Sequence, residues 1–273
     1  MAARTAIIGD VHGALGPLEA LVAKLALSGG DHLIFVGDLV DKGPDPAGVV
    51  QFIRHLHETA PFSVLLIEGN HEDKHRRYHR NKTRRPMVAK GMAAASREVR
   101  SLDAELTPDD RAFLATAVPF HRLPDWNILI VHGGIPPDMF TFPDTVEQAN
   151  ALTGKARHAF RKILRTRYVS QIDGRFLAFG DEGPGDPFWA QIYDGRFGHV
   201  LFGHQPFLGG PACYPHATGL DTACIHGGAL TALVLPGEGA PRFESVPGID
   251  VKPFKAERAP PHPGTDLALK RPA

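Results

Sequence analysis

Five short segments of this chain bring carboxylate, imidazole and carboxamide groups into glycine-rich turns. They are Gly9-Asp10-Val11-His12-Gly13, Gly37-Asp38-Leu39-Val40-Asp41-Lys42-Gly43, Gly69-Asn70-His71-Glu72, His132-Gly133-Gly134 and Gly203-His204-Gln205-Pro206. Oxygen and nitrogen donors without thiolate suit a divalent ion of hard-to-borderline character. Manganese is the first expectation, with iron, zinc, cobalt or nickel as alternatives, and calcium fits less well. Asp10 and His12 stand two apart, so in extended backbone both point the same way and one ion can hold both. Asp38 is the natural bridge, because one carboxylate can give an oxygen to each of two ions. One ion is therefore expected on Asp10, His12 and Asp38, and a second on Asp38, Asn70, His132 and His204. Ions roughly 3.5–4 Å apart would pull the pKa of a shared water from about 15.7 toward about 7, giving hydroxide that can attack a phosphate ester. His71 follows the ligand Asn70 and is placed to protonate the leaving oxygen as general acid. Asp41 can hold the far nitrogen of His71, fixing its tautomer and favouring the imidazolium.

Each of these turns follows an apolar run that reads as a buried strand: Thr5 to Ile8, His32 to Val36, Ser63 to Ile67, Asn127 to Val131 and His199 to Phe202. Between the first three lie helical patterns, Pro17 to Leu27 and Pro46 to Leu56, with apolar residues on one face. The order βαβαβ with chemistry at the strand ends is that of a mainly parallel sheet that binds ligands beyond its carboxyl edge. Helices are expected over Val88 to Arg100, from an N-cap at Thr107, and over the basic stretch Thr153 to Tyr168. Late strands near Thr222 to Ile225, Leu230 to Leu235 and Arg242 to Val246 suggest a second sheet packed on the first. Residues 1–249 read as a single domain. Residues 250–273, rich in proline and charge, read as a loosely ordered tail.

The 273 residues are 43% hydrophobic and 22% charged, with 30 basic and 30 acidic side chains. That balance argues against bulk attraction to nucleic acid or membrane, and no obligate nucleic-acid partner is expected. No apolar run approaches the roughly 18 residues of a membrane span, and two cysteines, Cys213 and Cys224, fit a reducing compartment, so a cytoplasmic location is expected.

The five motifs, in this order and spacing, resemble those of the calcineurin-like metallophosphoesterases. The closest resemblance is to the branch of serine/threonine phosphoprotein phosphatases and symmetrical diadenosine tetraphosphatases, and it runs from Asp10 to about Leu235. It implies a four-layer αββα sandwich of two mixed sheets, with two metal ions at the rim. The family's ligand and general-acid roles fall on the residues named above. The stretch from Gly69 to Lys74, followed by Arg77-Tyr78, is also similar to bacterial bis-nucleosyl tetraphosphatases and to the phosphatase module of bacterial RNA-repair enzymes. One residue departs from the pattern. Lys42 stands where the family carries an arginine that grips phosphate, and lysine lacks the planar fork. Lys74, Arg77 and the basic stretch from Arg157 to Arg167 are candidates to compensate.

Each residue also has a plainer reading. The ligand residues singly would be turn and cap residues, and Lys42, Lys74 and Arg77 would be solvated cations. The basic stretch would be a wet helix face. Phe188, Trp189 and Tyr193 are read as core, His226-Gly227-Gly228 as a non-ligand duplicate, and His55, His57, His75, His79 and His121 as without a role. The expected reaction is hydrolysis of phosphomonoesters, as in the serine/threonine phosphatases. The alternatives are symmetrical dinucleoside polyphosphate hydrolysis, 2′,3′-phosphate removal at RNA ends, or a catalytically dead phosphate-binding scaffold. The substrate partner would be a phosphoprotein, a dinucleoside polyphosphate or an RNA end.

Overall fold

The computed structural model describes residues 3–273 apart from 252, 255–258, 268, 270, 272 and 273. Among the described residues ten strands run in chain order: β1 (Thr5–Ile8), β2 (His32–Phe35), β3 (Ser63–Leu66), β4 (His121–Leu123), β5 (Ile128–Ile130), β6 (His199–Phe202), β7 (Ala212–Tyr214), β8 (Ala217–Gly219), β9 (Ala229–Leu235) and β10 (Arg242–Pro247). They form two five-stranded mixed sheets, ordered β10-β9-β1-β2-β3 and β4-β5-β6-β8-β7. In the first, β1, β2 and β3 are parallel while β9 and β10 are antiparallel additions. In the second, β5, β6 and β8 are parallel, flanked by antiparallel β4 and β7.

Alternation along each strand explains the layering, because successive side chains point to opposite faces. Ile7, Ile34, Ile128, Ile130 and Leu201 pack between the two sheets. Their neighbours Ala6, Ile8, Leu33 and Phe35 face outward onto helices α1 (Leu15–Leu25) and α2 (Pro46–Thr59). On the far side, Leu129, Val131, Val200 and Phe202 meet a helical layer that contributes Phe160, Phe188 and Trp189. Both faces of both sheets are buried, so the strands read as continuous apolar runs. The result is the expected αββα sandwich. Phe188 and Trp189 are core residues, as their spacing suggested.

The remaining helices are α3 (Asn70–Arg84), α4 (Pro86–Ala95), α5 (Arg97–Glu105), α6 (Pro108–Leu114), α7 (Val146–Ala151), α8 (Gly154–Phe160) and α9 (Trp189–Ile192). Thr107 caps α6 as expected, with its hydroxyl accepting from Asp110 N and Asp110 returning the bond. Four expectations are corrected. The late strands at Leu230 to Leu235 and Arg242 to Val246 belong to the first sheet, where β9 pairs with β1, and not to a second one. The helix over Val88 to Arg100 is two helices, broken where Ser96 is extended. The basic helix over Thr153 to Tyr168 ends at Phe160 and tightens into a 3-10 turn, Arg161–Leu164. There the Ile163 carbonyl accepts from Gly133 N at 2.7 Å and Gly134 N at 3.1 Å, so a continuing helix cannot use it. The strand near Thr222 to Ile225 is a turn, held by Asp221 accepting from Ala223 N. In the 250–273 segment, Leu269 is buried in the layer between the sheets and the His262 ring meets Phe207 edge-on.

Candidate metal centre and active site

Parallel strands place the chemistry. Asp10, Asp38 and Asn70 come just after the carboxyl ends of β1, β2 and β3, while His132 and His204 come just after β5 and β6. The two sheets therefore bring all five motifs to one rim. The turns there are tight. His12, Asp38, Asp41, Lys42 and His204 all adopt positive φ, which for non-glycine residues costs about 1–3 kcal/mol each. Close approach also demands glycine. A Cβ at Gly203 would lie 2.0 Å from Asp10 Oδ1, and one at Gly37, itself at φ +104°, would lie 2.7 Å from Gly69 N.

Two groups of side chains share Asp38. His12, Asp38 and His71 present one ligand atom each, all within 4.8 Å of one another, and Asp38, His132 and His204 do the same. Asn70 Oδ1 lies 3.1 Å from His132 Nε2, and His132 Nε2 lies 3.2 Å from Asp38 Oδ1. Asp10 Oδ2 is 3.8 Å from His12 Nε2, and both Asp10 oxygens accept from His204 N. His12 Nδ1 lies 3.0 Å from Val40 O and His132 Nδ1 lies 3.0 Å from Val36 O. A backbone carbonyl takes the Nδ1 proton, so each Nε2 lone pair faces Asp38, the arrangement that fixes a metal-ligating imidazole. All-nitrogen and oxygen donors converging on one bridging carboxylate fit a pair of divalent ions.

Electrostatics favour the same reading. Burial and the nearby Lys42 push His12 well below its ordinary pKa, and burial with Arg167 does so for His204, so both rings are neutral and able to bind an ion. Burial alone would raise Asp38, but His132 and His71 hold it well below the usual carboxylate range. For His132 burial is likewise opposed, and Asp38 raises its pKa. Burial and the Asp221 and Asp38 carboxylates raise Asp10. That crowding of anions calls for cations.

His71 Nδ1 lies 2.6 Å from Asp41 Oδ2, with Nε2 turned toward Asp38 Oδ2 at 3.8 Å. Asp41 also lies 2.6 Å from His75 Nε2 and pairs with the Lys74 ammonium. Burial would raise Asp41, but its bonds to His71 and His75 hold it far below the ordinary range. Lys42 reaches inward, its Nζ 2.7 Å from His12 Nε2. Lys74 is thus committed to Asp41, and Arg77 sits further along α3, outside the cavity over the metal site.

Three residues escaped the sequence reading. His75, set aside there, is the second imidazole on Asp41. Its spacing of four from His71 on one helix was the available signal. Glu72 is buried and accepts from Asp38 N, Leu39 N and Gly69 N at 2.8, 2.8 and 2.9 Å, locking the second and third motif turns together. Burial and Asp38 push its pKa up to about 7. Asp221 follows the end of β8, parallel to β6, but so short a strand left no signal for it in the sequence. Arg167, one of six cations in the basic stretch, donates to His204 O. With Lys42, Asn70, His71, Arg165, Phe176, Phe179 and Phe254 it lines a cavity of about 700 Å³ over the metal site. His226 lines this cavity too and belongs to neither ligand group among the described residues.

A two-sheet sandwich carrying such a cluster at its rim defines a metal-dependent phosphoester hydrolase. The chain belongs to the calcineurin-like phosphoesterase family, whose model matches residues 3–250. That family is dinuclear and metal-dependent. A bis(5′-nucleosyl)-tetraphosphatase PrpE of Oceanobacillus iheyensis, named as asymmetrical, is 30% identical over 266 residues, covering 92% of this chain and 94% of its own. The Bacillus subtilis protein of that name is 26% identical over 241 residues, covering 84% and 90%. The motifs resembled the symmetrical enzymes, whereas these relatives carry the asymmetrical name. A crystal structure provisionally named as a diadenosine tetraphosphatase aligns with a TM-score of 0.63 at 26% identity, over 91% of this chain and 95% of that one. A cold-active protein-tyrosine phosphatase of a Shewanella species shares the fold, with a TM-score of 0.54 at 16% identity over 89% and 80%. No described helix is long and apolar enough to cross a membrane.

Proposed function

We propose that this chain hydrolyses dinucleoside polyphosphates at a two-metal centre held by Asp10, His12, Asp38, Asn70, His132 and His204, with manganese as the preferred ion. The observation that carries this reading is the cavity over the cluster. Phe176, Phe179 and Phe254 offer ring faces beside Lys42, Arg165 and Arg167. A nucleotide supplies both a base for the rings and phosphates for the cations. A nucleotide therefore engages both features of the cavity, where a simple phosphomonoester engages the cations. The names of the relatives support the same substrate class.

When bound, the ions supply an activated water and neutralise phosphate charge. The chain does the rest. His12 and His132 are held in the correct tautomer by Val40 O and Val36 O. Arg165 and Arg167 provide the planar forks that Lys42 lacks and bind non-bridging phosphate oxygens. Arg167 is also fixed over the Phe179 ring at 5.3 Å. His71, oriented by Asp41, gives a proton from Nε2 to the leaving oxygen.

The test compares diadenosine tetraphosphate with p-nitrophenyl phosphate in the presence of Mn²⁺. The dinucleotide should show the higher kcat/KM by about tenfold or more, the discrimination one well-used pocket provides. Equal or poorer turnover of the dinucleotide would sink the substrate assignment.

A further inference from the structure

Beside the metal cavity runs a second cleft, of about 480 Å³. One wall is α3, which presents Arg76, Arg77 and Arg80. The other is α8 and the turn after it, which present Arg157, Arg161 and Arg165. With Lys162 the cleft gathers seven cations, against three carboxylates, Asp73, Glu68 and Asp138, paired to them. Buried Asp73 is the floor. Its carboxylate meets Arg161 Nη2 at 2.5 Å, Arg165 Nη2 at 3.1 Å and Arg77 Nη1 at 3.7 Å. Among the described residues, Arg80 and Arg157 have no carboxylate partner. Packing this many like charges is unfavourable unless an anion joins them.

The cleft borders the active site. Arg165 and Phe176 line both spaces. Helix α3 measures the distance: Asn70 stands at its first position, so Arg77 lies about 10 Å and Arg80 about 15 Å along the axis at 1.5 Å per residue. A single phosphate at the ligand cluster stays far from these side chains, whereas a chain of phosphates extends toward them.

We infer that this arginine cleft is a distal subsite for the polyphosphate chain of the substrate, holding the phosphates of the leaving group. The inference rests on the dinucleotide reading above. With the chain in the cleft, the phosphorus left beside the ligand cluster is the outermost one, which carries a nucleoside. Water oxygen bonds to that phosphorus, and its bond to the bridging oxygen breaks. The bridging oxygen leaves on the nucleoside triphosphate and takes a proton from His71. The products are one nucleoside monophosphate and one nucleoside triphosphate, with one water consumed.

The test uses inorganic tripolyphosphate and orthophosphate, titrated by calorimetry into the full chain and into a double variant, Arg80→Ser with Arg157→Ser. Both side chains are exposed, so the fold tolerates the change. The variant should bind tripolyphosphate about tenfold more weakly and orthophosphate within about twofold, because only the longer anion reaches these arginines. Arg80→Lys with Arg157→Lys should recover most of the loss. Unchanged tripolyphosphate affinity, or equal weakening of both anions, overturns the subsite. Calorimetry needs no turnover, so a chain that fails to cleave diadenosine tetraphosphate would refute the functional reading while this titration still decides the cleft.

Discussion

Replacing Asp41 by asparagine probes the proposed proton donor directly. Asp41 is fully buried, sits at φ +68° and accepts short bonds from two imidazoles, 2.6 Å to His71 and 2.6 Å to His75. Asparagine tolerates the left-handed backbone and keeps the shape, so the substitution removes charge and leaves the turn in place. A hydrogen bond to a charged group is worth about 1.5–3 kcal/mol, and a neutral one about 1 kcal/mol. The amide can accept from one ring only, so the other bond is lost and the Lys74 ammonium loses its carboxylate. Stability should fall by about 3 kcal/mol, read from urea denaturation. Catalysis should suffer through His71. Losing the charged hydrogen bond that orients His71, about 1.5–3 kcal/mol, corresponds to roughly a tenfold to hundredfold drop in kcat. The size should depend on the leaving group. Phenyl phosphate needs the proton and should show the full loss, whereas p-nitrophenyl phosphate, whose phenolate departs unaided, should lose far less. Equal losses on the two esters would refute His71 as the acid held by Asp41.

Two further outcomes follow from the same geometry. Gly203→Ala should drive a methyl into Asp10, so elemental analysis after Mn²⁺ loading should find about one ion or fewer per chain in place of two. Arg4→Ala should cost about 1 kcal/mol at neutral pH, because Asp31 accepts from both the Arg4 backbone N–H and its guanidinium. Burial would raise Asp31, but Arg4 lowers its pKa to about 2, below the ordinary value of about 3.9. The stabilisation is therefore complete above about pH 4 and lost as pH falls through about 2, and thermal melts across that window should show the variant and parent converging.

Much of the site was legible in the sequence for a local reason. Strand, glycine turn and ligand follow one another within a few residues, and the period-2 pattern fixes which side chains share a face. Elements fared less well where distant groups intervene. The basic stretch looked helical through Tyr168 by propensity, but the His132-Gly133-Gly134 turn takes the Ile163 carbonyl and the helix stops at Phe160. Strands β7 and β8, three residues each, are too short to register a period. His75 carried its helical spacing to His71 openly, yet its partner Asp41 is 34 residues away.

By itself the sequence determined the reaction class. Five donor turns of fixed residue type allow little other than a two-metal phosphoesterase, because ligand chemistry is set by side-chain identity. The tertiary structure decided what surrounds that centre. Only the fold sets α3 across a cleft from α8 and the turn after it, gathering arginines some 80 residues apart, and only the fold brings Phe176, Phe179 and Phe254 to the cavity over the ligand cluster. Non-local convergence has no period and no motif. Arg165 and Arg167, which line the cavity with Lys42, were visible as residues, and their positions were not.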